Sequence, residues 1–80
     1  MIHPRTDYTR RIQDSENLIP ENEPVILFRA QDTLAIEPLK LYAELCEKHQ
    51  APKVAAKIRR HIALMEAWPK KKIPDVPEGV

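Results

Sequence analysis

Lys53, Lys57 and Arg60 recur at spacings of four and three, which aligns their cationic ends along one side of a helix. His61 and Trp68 stand at the margin of that side. Aligned cations beside an aromatic ring suit phosphate contacts combined with stacking of a planar base. A merely solvated face would show the same spacing. Arg29 and Asp32 make a second cluster, directly after an apolar run. A partly buried guanidinium there takes a planar acceptor, and Asp32 is the simplest one; anion binding by Arg29 is the competing reading. Cys46 and His49 have the spacing of a thiolate–imidazole pair. Cys46 falls among apolar positions, however, where an inert buried thiol is expected. Cys46, His49 and His61 are the nearest approach to a metal-ligand set, and their separation along two helices argues against convergence. Ser15 sits in a polar loop without a nucleophile elbow, and the sole glycine, Gly79, excludes a glycine-rich phosphate loop. These residues predict a chain with no catalytic groups, no metal and no cofactor.

The elements that would carry the basic row are legible from prolines and apolar spacing. Pro38 is tolerated only in a first helical turn, so a helix is expected from Ala35–Glu37 to about His49. On it Leu39, Leu41, Tyr42, Ala43, Leu45 and Cys46 spread over an arc of roughly 200° at 100° per residue. So wide an arc needs two partners. Gln50-Ala51-Pro52 breaks the chain, and a second helix is expected from Pro52 to about Trp68, stopped by Pro69. Val54, Ile58, Ile62 and Met65 give its apolar stripe. A short break between two amphipathic helices predicts an antiparallel hairpin.

Before the hairpin, Val25-Ile26-Leu27-Phe28 is apolar at every position, which predicts a short strand over 25–30, buried on both faces. No convincing second strand is legible in the chain: Ile73 and Val76 of the tail could lie extended along it, but Pro74 and Pro77 make that segment a poor ladder partner. The expectation is therefore pairing with the same segment of another copy, in a homodimer or higher even oligomer. Val25, Ile26, Leu27, Phe28, Leu41, Tyr42 and Leu45 are the expected interface. Residues 1–24 read as an N-terminal arm with one or two helical turns after a Thr6 cap. Residues 25–69 read as the body of a single small domain, and residues 70–80, rich in proline, as an extended tail with Lys70, Lys71 and Lys72 in solvent. The fold class expected is mainly α.

Composition narrows the function further. An 80-residue chain buries only about 60% of its unfolded surface, and one cysteine permits no internal disulfide, so self-association is the expected source of stability. The cysteine count fits a reducing compartment. No stretch is apolar enough for a membrane span or a signal core. The net charge of +1 conceals a basic segment, 52–72, which sets seven cations against Glu66 alone. Near-neutral overall charge disfavours long nucleic acid as a partner and favours a small anion.

The stretches "IPENEPVILFRAQDTLA" (19–35), "LYAEL" (41–45) and "MEAWPKKKIPD" (65–75) resemble small uncharacterised proteins encoded in bacteriophage and prophage genomes, about two thirds of the chain being covered. The resemblance implies an accessory protein acting in the cytoplasm of an infected bacterium; Pro38 stands slightly later than that pattern leads one to expect. The leading expectation is a non-enzymatic oligomer that sequesters a small anionic ligand, such as a nucleotide immune messenger, at a subunit interface. Arg29, Lys53, Lys57, Arg60, His61 and Trp68 are its expected ligand-binding residues. A protein–protein inhibitor of a host factor is the second expectation, and a small nucleic-acid-binding accessory the third.

Overall fold

Proline and apolar spacing place the helices. In the computed structural model, which describes residues 1–80, α1 spans Thr6–Arg11, α2 Ile36–Lys48 and α3 Pro52–Ala67. The chain is mainly α, and its only ladder pairings are two isolated parallel bridges. It divides into two units, Met1–Leu27 with Asp75–Val80, and Phe28–Pro74.

The second unit is an α2–α3 hairpin. Asp32 opens it: its backbone carbonyl accepts from Ala35 N–H (3.2 Å) and its side-chain Oδ1 from Leu34 N–H (2.8 Å), which sets the chain into its first turn. The turn between the helices is a Schellman motif. Ala51 N–H donates to Cys46 C=O at 2.6 Å and Gln50 N–H to Glu47 C=O at 3.2 Å, while Gln50 takes the left-handed position at φ 66°. Pro52 then starts α3, where a missing N–H costs nothing.

Small side chains line the helix contact: Ala35, Ala43 and Ala55 have 0% exposure, with Cys46, Ile62 and Met65 also buried. The buried stripe of α3 is therefore turned from the expected one. Ala55 takes the inward place, and Val54 is left 44% exposed. Alanine at the contact lets the backbones approach, and the branched valine is then directed outward. Arg59 Nη2 reaches Glu47 Oε2 at 2.8 Å and ties the helices on a further side.

Lys71 is exposed, as expected, but its ammonium is not free. Its ammonium donates to Met65 C=O and to Ala30 C=O, each at 2.6 Å, capping the last turn of α3 and holding the chain after it. Lys72 accordingly pairs with Asp32 in one parallel bridge, with Lys72 N–H to Gln31 C=O at 2.7 Å and Thr33 N–H to Lys72 C=O at 3.0 Å. The prolines at 69 and 74 flank this bridge and limit its extension.

The first unit is organised around Asp7. Its carboxylate accepts Nε and Nη2 of Arg5 (3.0 and 2.7 Å) and Nη1 of Arg11 (3.1 Å). Both guanidinium groups also lie against the Tyr8 ring, at 4.3 and 5.5 Å. The Arg5 fork, helped by Arg11, holds the Asp7 carboxyl down at about 2 despite its burial. Arg5, not Thr6, stands at the cap of α1, and the Thr6 hydroxyl donates to Val80 C=O at 3.3 Å. His3 is buried edge-on to Tyr8, and neither of its ring nitrogens has a hydrogen-bond partner.

The expected strand over 25–30 is absent from the chain. Ile2 N–H donates to Glu23 C=O (2.9 Å) and Val25 N–H to Ile2 C=O (2.8 Å), giving one bridge between Ile2 and Pro24. Pro4 and Pro24 lack donors, so the ladder stops there. Ile26, Leu27 and Phe28 make no ladder bond within the chain, and Ile26 and Leu27 stay exposed.

Candidate functional site

Of the residues read as ligand-binding, the structure brings Lys57 and His61 together. They stand one turn apart on α3 and line an open groove of about 310 Å³ with Leu39 of α2 and Ile58, Ile62 and Met65 of α3. The groove exists because α3 turns its Ala55–Ile62 line into the hairpin contact, which leaves Ile58 half-buried and its neighbours at the rim. Its floor is apolar, its polar groups are a lysine ammonium and an imidazole, and no carboxylate lines it. Lys53 and Arg60 continue the basic row along exposed α3 surface next to Lys57, without lining the groove. Arg59, the other α3 cation, is drawn to the opposite side by Glu47, whose carboxyl it holds below the usual range. Glu47 therefore neutralises a cation away from the groove and none beside it.

Arg29 and Trp68 are brought together elsewhere. With Ala30 and Gln31 they line a second hollow of about 250 Å³. Arg29 is exposed rather than partly buried, because the turn Arg29–Asp32, closed by Asp32 N–H to Arg29 C=O at 3.0 Å, lifts it off the hairpin core. The expected set of six thus falls into a groove pair, a hollow pair and two flanking cations. Leu39, Ile58 and Met65 were legible as apolar positions; that they floor a groove depends on how the two helices cross.

Cys46 is a buried free thiol, and His49 occupies the C-cap of α2. No three His, Cys, Asp or Glu side chains gather into a group fit for a metal ion, and no helix is long and apolar enough to cross a membrane. The expected interface residues Leu41, Tyr42 and Leu45 are 57%, 53% and 43% exposed, and Leu34 just ahead of α2 is 56% exposed. The wide apolar arc of α2 is split accordingly. Ala43 and Cys46 are buried, Leu39 lines the groove beside α3, and Leu41, Tyr42 and Leu45 face outward.

No protein-family model matches this sequence, and no curated protein or solved structure is significantly similar to it.

Proposed function

We propose that this chain is a non-catalytic binding protein that captures a small ring-bearing anion in the groove between α2 and α3. The observation carrying the reading is the groove's chemistry: an apolar floor from Leu39, Ile58, Ile62 and Met65, with Lys57 and His61 at its edge. Ligand sites are mostly apolar with a few convergent polar groups, and about 310 Å³ lies at the small end of their range. A base or similar ring would lie on the floor, while its phosphates meet Lys57 and the flanking Lys53 and Arg60. In the phage setting that the resemblance implies, the ligand is a nucleotide messenger of host immunity and the role is counter-defence by sequestration.

A thermal-shift panel of mono-, di- and cyclic nucleotides on the full chain tests this. Ligand at a hundredfold excess over Kd stabilises by about 2.7 kcal/mol, which in a chain this small raises Tm by roughly 10 °C or more. Lys57→Glu removes the shift and Arg60→Glu weakens it. A panel without any shift overturns the proposal.

The proposal keeps self-association as a homodimer or higher even oligomer, with the Val25–Phe28 segment, exposed at Ile26, Leu27 and Phe28, as one pairing element. A second reading, an inhibitor that docks on a host protein, is favoured by the outward Leu34, Leu41, Tyr42 and Leu45. Capture of one defined host protein that is lost in Leu41→Glu would support it.

A further inference from the structure

The outer face of α2 carries large apolar side chains, and its charges have an order that specifies what covers it. Leu41 and Leu45 lie one turn apart on that face, with Tyr42 beside them, all exposed. Along one edge of this stripe run Glu37, Lys40, Glu44 and Lys48, all exposed. None of the four enters an ion pair within the chain: the ion pairs are Arg5–Asp7, Arg11–Asp7 and Arg59–Glu47. Read from either end of the helix, the series alternates in sign, beginning with an anion at one end and a cation at the other. Reversing the helix therefore exchanges each charge for its opposite.

We infer that α2 pairs with α2 of a second copy, antiparallel about a two-fold axis that passes between Tyr42 and Ala43. A two-fold perpendicular to the helices keeps each edge on its own side and inverts the chain direction. Glu37 then comes level with Lys48 of the second copy, and Lys40 falls close to its Glu44. Leu41 meets Leu45 across the axis, so the apolar stripe covers itself. A parallel pairing, about an axis along the helices, would carry the two charged edges to opposite sides of the pair, and these four charges would meet no counterpart. The charge order thus selects a second copy of this chain and one orientation of it. The surface is distinct from the α2–α3 groove, so this inference and the ligand proposal stand or fall on separate measurements.

The test is mass by light scattering and sedimentation of the full chain at micromolar concentration, with helical content followed by circular dichroism. The wild type sediments as a dimer, and Leu41→Glu is a folded monomer. Glu37→Lys and Lys48→Glu each weaken the dimer roughly tenfold, since two pairs per dimer turn from attraction to repulsion. Mixing these two variants restores a heterodimer of near wild-type strength, because every level is again paired with its opposite; the double variant Glu37→Lys/Lys48→Glu restores the homodimer. A monomeric wild type, which would leave the face to another partner, overturns the inference. So does a dimer that ignores the single charge reversals or is not rescued by mixing.

Discussion

Two single residues carry strain or charge that can be read out directly. Gln50 holds the left-handed conformation, φ 66°, that the Schellman turn between α2 and α3 demands. Glycine takes that conformation without a Cβ penalty. Gln50→Gly is therefore expected to stabilise the chain by about 0.5–1 kcal/mol, part of the relief being returned to the more flexible unfolded chain. Chemical denaturation shows this as a raised midpoint at unchanged slope. Asp7 supplies the acid limit. Its folded-state pKa is lowered from 3.8 to about 2, chiefly by the Arg5 side chain and further by Arg11. A group with a lowered folded pKa contributes its full stability above the unfolded value, and loses it as pH falls through the folded one. Stability is thus expected to decline between pH about 4 and about 2, and Asp7→Asn to flatten that decline while lowering stability at neutral pH. Urea midpoints measured at several pH values, read from the Tyr8 environment, check both.

At the level of elements, the helix boundaries follow from Pro38, Pro52 and Pro69 because proline acts through its own backbone, whatever surrounds it. The expected limits of α2 and α3 agree with Ile36–Lys48 and Pro52–Ala67 to within a residue at most points. Which face turns inward was less legible. Periodicity marks apolar positions without ranking small against large, and the hairpin chose alanines. Ala55→Leu is expected to cost about 1–3 kcal/mol, because a larger side chain must separate the helices. Val54→Leu, one residue away and outward, changes stability by no more than about 0.5 kcal/mol. Thermal melts of the two variants distinguish the observed stripe from one centred on Val54. The tail shows the same limit: Lys70, Lys71 and Lys72 have one composition, yet only the position of Lys71 lets its ammonium reach Met65 and Ala30 carbonyls. The Val25–Phe28 run illustrates it from the other side, since apolar residues make a strand only where a neighbouring backbone offers a ladder.

For the whole molecule, the telling quantity is how little is fully covered. The buried apolar set is Tyr8, Ala35, Ala43, Cys46, Ala55, Ile62 and Met65, and no large side chain is completely buried. Such a core leaves stability modest and unevenly distributed. α1, six residues long, is too short to hold alone, whereas α3 packs along its length on α2. In native-state hydrogen exchange, amides around Ile62–Met65 are expected to be the slowest and those of α1 faster by at least tenfold. Equal protection of the two would contradict this ordering.

The sequence by itself determined the helices, their order, the tight break between them and the basic bias of residues 52–72, because these depend on local backbone chemistry and on spacing along one element. Tertiary structure alone decided that Lys57 and His61 share a groove while Arg29 and Trp68 share a separate hollow. It also turned Leu41, Tyr42 and Leu45 of α2 outward and Ala43 and Cys46 inward. Those outcomes depend on how closely two helices approach and how they are rotated, and both are set jointly by side chains distant in sequence.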